Sequence, residues 1–493
     1  MMPKFVLLPT DIVVVVLLAA LTFYLIHVAR SEELKARWRY VVSSGASLCS
    51  LSLLCFFLLL SVVDSVHFRP VIDVQDGRAI YDVKAYSLLD KALGKASSAE
   101  EKSYSMPLAT QTFEKISRFE DGKPVRDYEP LKAGGAHLKA RADWAEDVII
   151  KSASGLGAGL ALSALLWFLT VGLISRSKGR SFKEEVRTLF KRRDEVPYEA
   201  ILTTCSVLIV LGCLIGALWP YYHVMGTDQT GNDVLYQAFK SVRTALVIGT
   251  LATLTTLPFA VVLGICAGFF KGWVDDLIQY LYTTLSSIPS VLLIAASVLM
   301  IQVFIDSHPG MYATGIERAD LRLFMLSIII GLTGWATLAR LLRAETLKIS
   351  QLDYIQAARA FGLGPFKIMK RHVLPNVIHI ILIVAVLGFS RIVFFEAVLS
   401  YVGVGVDPTT HSFGSMINAG RLELSRTPVV WWNLCAAFTF MLTLVLSANL
   451  FASAVREAFG LWRVWLPAES ALPLYVRRSP VLRSARGRNG CCP

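Results

Sequence analysis

Residues 350–376 read SQLDYIQAARAFGLGPFKIMKRHVLPN, a polar and basic stretch set between two strongly apolar runs at 321–342 and 377–399. A connection of this length between apolar runs usually carries structure or function of its own. This one holds start and stop signals for two short helices. Ser350 followed by Asp353 has the form of an N-terminal capping box, with Asp where Glu or Gln is usual. Tyr354, Ala357, Ala358 and Phe361 recur at i, i+3, i+4 and i+7 and predict one apolar stripe. Gly362 can adopt the left-handed conformation that ends a helix, and Gly364-Pro365 opens the next. Phe366, Met369 and Val373 form a second stripe, which Pro375 is expected to stop. The spacing therefore predicts a helical hairpin at a membrane face, apolar on one side and basic on the other. It is either a docking element or an ordinary amphipathic hairpin lying in the lipid interface.

The surrounding composition supplies the membrane. Apolar residues make up 54% of the 493 and charged residues only 17%, against about 25% charged in a soluble domain. Nine long apolar runs account for the difference, at 11–28, 41–63, 148–174, 200–219, 245–270, 277–305, 321–342, 377–399 and 431–451. Each approaches or exceeds the length needed to cross a bilayer, and backbone in lipid must bond to itself, so each is expected to be a helix. The first run has only Lys4 before it and no clear small-residue cleavage site after it, so it reads as a retained span rather than a signal peptide.

The formal charge of +12 is concentrated at 30–39, 176–193, 340–371 and beyond 456. These segments share one side if the nine runs alternate. The excess of Lys and Arg makes that side cytoplasmic, with the N-terminus outside and the C-terminus inside. The charge thus reads as membrane orientation and not as nucleic-acid binding. Within 176–195, Phe182, Val186, Leu189 and Phe190 predict an amphipathic helix on the inner surface. Of eight cysteines, Cys49, Cys55, Cys205, Cys213, Cys266 and Cys435 lie in apolar runs, and Cys491-Cys492 sits in the tail. No disulfide framework or metal set is indicated.

The 350–376 stretch resembles the "EAA" loop of ABC-transporter permeases. Gln356-Ala357-Ala358, Gly362, His372 and Leu374-Pro375 stand at its spacing, with Gln in place of Glu at 356 and His in place of Ile at 372. Asp353-Tyr354 before it and Arg371-His372-Val373-Leu374-Pro375-Asn376 within it are similar to the C-type subunit of the dipeptide/oligopeptide (peptide/nickel) importer branch. The resemblance implies that this loop is the coupling helix received by a groove on an ATPase. Ala357, Ala358, Gly362, Leu374 and Pro375 would then set its geometry, and Gln356 and Arg359 would make polar contacts. It implies an all-α polytopic membrane protein, with a six-helix ABC importer permease core preceded by about three extra transmembrane helices and an exported segment. The divisions are 1–66 for two N-terminal transmembrane helices and 67–147 for the exported segment. Residues 148–198 hold a third helix and a basic linker, 199–461 the permease core with its coupling loop at 345–376, and 462–493 a basic tail.

Two further motifs fall on the external side of that topology. Gly226-Thr227-Asp228-Gln229-Thr230-Gly231-Asn232-Asp233 is rich in oxygen ligands, yet it fails the EF-hand spacing and lacks its terminal Glu. As a plain sequence it is a turn whose Asx side chains cap the next helix. It also resembles the Gly-Thr-Asp-x-x-Gly-Arg-Asp signature of peptide permeases, with Asn232 for Arg, and would shape the outer mouth. The run from Glu396 through Gly403 and Gly405 to Asp407-Pro408 is similar to a second signature of that branch. Arg391 and Glu396, charged groups at membrane depth, either satisfy each other or a neighbouring helix, or line the path. Asp275 and Asp276 are expected to start a helix by charge–dipole interaction.

In the exported segment, Asp76-Gly77, Asp121-Gly122-Lys123-Pro124 and Gly134-Gly135 are turn signals, and 85–93 and 110–116 carry short helical patterns. A small, partly ordered cap is expected. No phosphate loop and no catalytic constellation occurs, so the chain reads as a transporter subunit without a nucleotide site or cofactor of its own. The implied partners are a B-type permease, two ATPase subunits binding ATP and Mg, an extracytoplasmic solute-binding protein and a peptide-like solute. The setting is the bacterial inner membrane. Nickel chelates or peptide antibiotics are alternative cargoes, and a membrane-embedded sensor or scaffold is the alternative class.

Overall fold

A computed structural model of the chain describes residues 4–460 apart from 76–77, 83, 95–100, 121–122, 139–140, 180, 182–185, 188–196, 309 and 311–313. The order of elements is β1 (Lys4–Val6), α1 (Pro9–Arg30), α2 (Glu32–Val42), α3 (Gly45–Asp64), β2 (His67–Arg69), β3 (Val71–Gln75), β4 (Arg78–Tyr81), β5 (Tyr86–Ser87), α4 (Leu88–Leu93), β6 (Ile116–Glu120) and β7 (Lys123–Asp127). The long helices α5 (Trp144–Lys178), α6 (Tyr198–Leu218) and α7 (Val234–Phe270) follow, then α8 (Trp273–Ser287), α9 (Ser290–Ser307) and α10 (Gly315–Ile349). The chain continues with α11 (Asp353–Ala360), α12 (Pro365–Ile368), a π turn (Met369–Val373), α13 (Leu374–Tyr401), α14 (Phe413–Leu424) and α15 (Trp432–Gly460). Among the described residues, nine helices are long and apolar enough to cross a membrane, one for each apolar run. The fold is that of an all-α polytopic membrane protein. The helix expected around Phe182, Leu189 and Phe190 and the tail with Cys491-Cys492 lie outside the described residues.

The core is organised on the pair α7 and α10. A Cβ built on Gly264 would lie 2.7 Å from the Ala339 carbonyl, one on Gly268 2.7 Å from the Arg343 carbonyl, and one on Gly331 2.7 Å from the Ala252 carbonyl. The two backbones therefore touch. Small residues at such contacts are how helices gain packing energy in lipid, where apolar burial alone does not favour association. Helices α13 and α15 complete this layer around an apolar cluster containing Phe57, Val242, Val393, Phe413 and Leu444.

The 277–305 run is not one span. It breaks at Ile288-Pro289 into α8 and α9, because Pro289 cannot donate to the helix and drives Ile288 to extended backbone. Helix α8 instead begins near the hairpin end, where Arg343 clasps Asp275 in two bonds of 2.5 and 2.6 Å. Asp275 thus ties α8 to α10 as well as standing in its first turn, and this contact holds its carboxyl below the usual range.

At the opposite end lies a small cap. The strands are short and antiparallel: β1–β2–β5 form one sheet, with Lys4 opposite Arg69, and β3–β4 and β6–β7 form two hairpins. The turn signals at 76–77 and 121–122 fall between paired strand ends, Gln75 with Arg78 and Glu120 with Lys123. The expected 85–93 helix is β5 followed by the single turn and a half of α4. The expected 110–116 helix is absent. Gln111 bridges Pro130 and β6 begins at Ile116, because this stretch pairs across to 127–131 and pairing overrides a weak helical period. The β1–β2 pairing puts the N-terminus on the same side of the molecule as the cap.

A buried ionic cluster ties this end together. Arg243 of α7 meets Asp11 of α1 at 2.6 Å and Asp320 of α10 at 3.4 Å. The other oxygen of Asp11 is 2.9 Å from His67. Lys240 bridges Asp64 of α3 at 3.0 Å and Asp90 of α4 at 2.8 Å.

Candidate functional site

At the hairpin end, α11 and α12 stand out from the core. Ser350 does not cap α11: it closes α10, its hydroxyl donating to the Leu347 carbonyl, and Leu352 is the N-cap residue. The apolar stripe also turns out differently from expectation. Ile355, fully buried, and Ala358 face the core with Ile368 and Val373, beside Phe269 and Trp335. Ala357 is exposed, Tyr354 is 46% exposed and Phe361 85% exposed. Core packing took the adjacent pair at i and i+3, a stripe that Ile355, Ala358 and Leu363 encode one step round from the one read. Phe366 is also 73% exposed. With Arg359, Lys367, Lys370 and Arg371 these rings make an aromatic and cationic face.

Local contacts stiffen the hairpin. Gly362 has φ 77° and closes α11, with Gly362 N–H donating to the Arg359 carbonyl at 2.9 Å and Leu363 N–H to Ala358 at 3.1 Å. Arg359 lies over the Phe269 ring at 4.5 Å. Gln356 donates to the Gln351 carbonyl, and Asp353 is exposed in the first turn of α11. Asn376, read in the sequence only as the last residue of the Arg371–Asn376 signature, donates to the Tyr354 hydroxyl and to the His372 carbonyl, so it joins the first rod to the base of the second.

Pro375 is exposed and does not stop the second rod. It has no N–H for the carbonyl one turn back and would crowd it. The chain answers with the wider π turn, in which Leu374 N–H reaches Met369, and helix runs on from 365 to 401.

The 223–233 loop is covered by the cap. Thr227 is fully buried: its N–H donates to the Ser105 carbonyl at 3.1 Å, its hydroxyl to the Ser103 carbonyl at 2.9 Å, and its own carbonyl accepts from Trp432 Nε1 at 2.9 Å. Gly231 has φ 80°, and a Cβ there would fall onto the Glu101 backbone, whose N–H donates to the Gly231 carbonyl. Gly226 likewise lies against Ser105 and Trp432. Asp228 accepts from Thr230, Asn232 and Gln237, and Asp233 caps α7 by accepting from Tyr236 N–H.

Behind them His223 bridges Asp233 at 2.8 Å and Glu101 at 3.4 Å. Burial opposes charge on His223, but the two carboxylates outweigh it and raise its pKa to about 9. Burial would raise Glu101. Its bonds with His223 and the Ala133, Lys132 and Gly134 N–H groups instead lower it to about 2. Glu101 and His223 carry this latch, and the sequence offered no spacing by which to pair them.

Arg391 and Glu396 do not pair. Glu396 is 1% exposed and accepts from Ser400, while Gly403 (φ 87°) ends α13 and Gly405 packs on Ser400. Arg391 lines a cavity of about 370 Å³ at the α8–α9 break, with Thr256, Ser286, Ser290, Thr333 and Thr337. Among the described residues no group of three or more His, Cys, Asp or Glu side chains is arranged to hold a metal.

Comparison with known proteins agrees with this architecture. Residues 260–460, from the middle of α7 through α15, match the family described as binding-protein-dependent transport system inner membrane component. The oligopeptide transport system permease protein OppC of Mycobacterium bovis is 28% identical over 255 residues, covering 52% of this chain and 79% of that protein. OppC of Haemophilus influenzae is 26% identical over 48% of this chain and 70% of its own length. The glutathione transport system permease protein GsiD of Pectobacterium atrosepticum is 28% identical over 48% of this chain and 71% of its own. The match of residues 260–460 to binding-protein-dependent transport system inner membrane components, and the similarity to peptide-transport permeases over about half of the chain, agree with the nine apolar helices in describing a multi-pass membrane protein with a transport-permease domain.

Proposed function

We propose that this chain is the C-type permease subunit of an ATP-driven importer of peptides or peptide-like solutes in a bacterial inner membrane. It pairs with a B-type permease, receives solute from an extracytoplasmic binding protein and rests on two ATPase subunits that bind ATP and Mg. It needs no cofactor of its own. The hairpin end is cytoplasmic, and the cap and the N-terminus are outside. The names of the relatives support the solute class. The observation that carries the coupling role is the exposed aromatic and cationic face of α11–α12, held at a fixed angle by left-handed Gly362.

An ATPase groove lined by apolar and acidic groups would take Phe361, Phe366 and Arg371, and would transmit its motion through α12 into the continuous helix to residue 401. Such coupling requires two states that ATP and solute bias differently. Gly362→Val tests it. A β-branched residue at φ 77° costs about 1–2 kcal/mol or more, with no Cβ clash to confuse the result. The variant should insert and assemble, keep ATP hydrolysis and lose more than about nine-tenths of uptake, roughly 1.4 kcal/mol of coupling. Normal uptake would remove the lever. Failure of the wild-type chain to co-purify with ATP-binding partners would favour a sensor or scaffold.

A further inference from the structure

We propose that Arg391 is an anion-recognition residue of the solute path, taking a carboxylate of the transported molecule. This rests on the permease reading above. The cavity it faces, about 370 Å³, lies at the small end of the range for small-molecule sites, about 300–1,000 Å³. That size admits a short solute or one end of a longer one.

The chemistry of its walls is selective. Hydroxyls come from Thr256, Ser286, Ser290, Thr333 and Thr337, and Arg391 is the single charged residue in the lining. No carboxylate among the lining residues neutralises it or repels an anion. Glu396, five residues on, lies about 140° round the helix and is committed to Ser400. An unpaired guanidinium at membrane depth is tolerated only where water or a counter-charge reaches it. Its planar fork matches a carboxylate with two parallel bonds, and the hydroxyls supply the donors and acceptors that peptide groups need.

A second feature points the same way. The 18-residue helix α9 begins at this cavity, at Ser290, directly after the Pro289 break. A helix N-terminus carries unpaired N–H groups and partial positive charge, which favours an anionic group placed against it. Arg391 and the α9 N-terminus therefore meet at one cavity from different helices. On the other side Arg340 reaches Ser286, so the same wall is backed by a second cation.

Two measurements test this. First, Thr337→Cys in otherwise unchanged chain gives a thiol on the cavity wall whose labelling is read against the parent. An anionic methanethiosulfonate should outpace a cationic one of equal size by about tenfold relative to their rates with a free thiol, as a unit charge within about 10 Å implies. Arg391→Gln should remove most of the preference, leaving the smaller part due to Arg340 and the α9 N-terminus. Equal rates, or a faster cation, overturn the proposal. Second, in the assembled transporter, Arg391→Gln should raise KM at least tenfold for a dipeptide with a free C-terminal carboxylate. The KM for its amide should stay within twofold, and Arg391→Lys should retain part of the discrimination. Equal loss for both peptides, or loss of assembly with the second permease, overturns it in favour of a structural pair across the subunits. If the reagent preference stands while the wild type carries neither peptide, the anion-attracting cavity is supported and the peptide reading is what fails.

Discussion

The two ends of the molecule are built on opposite principles. At the cap end the chain seals itself: charged groups are buried and paired, and the 223–233 loop gives its backbone bonds to residues 101–135. At the hairpin end the anchor is apolar, Ile355, Ile368 and Val373 against Phe269 and Trp335, and the outward rings Tyr354, Phe361 and Phe366 stay 46–85% exposed, Phe366 touching Phe270 only edge-on. Apolar surface cannot fix the register of helices in lipid, because lipid is as apolar as they are. The extension therefore takes its register from ions and hydrogen bonds at one face, while the hairpin leaves its aromatic and cationic face exposed.

That contrast can be broken first at Arg243. Arg243→Ala leaves Asp11 and Asp320 buried without their cation and should cost about 3–5 kcal/mol. Thermal unfolding of the detergent-solubilised chain should show a marked fall in midpoint, with proteolysis starting near residue 67 while the hairpin stays protected. An unchanged midpoint would mean that the extension is held by helix packing alone.

A smaller loss is expected from Gly231→Ala. The substitution combines a positive φ with a Cβ placed on the Glu101 backbone, and should cost about 2–4 kcal/mol locally. Residues 101–135 should then become accessible to protease before any helix melts. Retained protection would show that the cap is anchored elsewhere, by Arg426 on Glu114 for instance.

The smallest effect is a pH dependence of the same latch. His223 has its pKa raised to about 9, so its contribution is complete below its ordinary value of about 6.5 and is lost as pH rises through 9. Glu101 is lowered to about 2, so its contribution is complete above its ordinary value of about 4.3 and is lost as pH falls through 2. Seating should be firmest between those ordinary values and should weaken by about 2 kcal/mol from pH 7 to pH 9. Hydrogen exchange of the Thr227 and Leu108 amides over that range reads the change, and Glu101→Gln should flatten it. A protection factor, taken relative to the intrinsic exchange rate at each pH, that does not change over this range would count against the ionic latch.

Much of this was legible before any coordinates. Nine apolar runs gave nine spans, and Gly362, Gly364-Pro365 and Asp233 sit where turn and cap chemistry put them. What escaped was decided by proline geometry inside apolar helices and by pairing between strands. Ile288-Pro289 breaks a run that hydropathy alone joins. Residues 110–116 follow their partners at 127–131 rather than their own period. Pro375 reads as a terminator until the π turn is allowed to absorb it. The partners of Glu101, His223 and Asn376 are visible only in three dimensions, because these side chains bond to groups remote in sequence or to carbonyls, and neither leaves a spacing to read.

The uninterrupted helix from 365 to 401 has a mechanical consequence. Thirty-seven residues make a rod about 55 Å long. Its short arm bears Phe366, and the Arg391 and Glu396 positions lie far along its length. A stiff bar of that span magnifies angle into travel: about 5° of rock at the base sweeps the remote tip through about 5 Å, close to the width of a peptide backbone. The widened turn at 369–373 is then the clamp that lets a proline ride in such a bar without becoming its elbow.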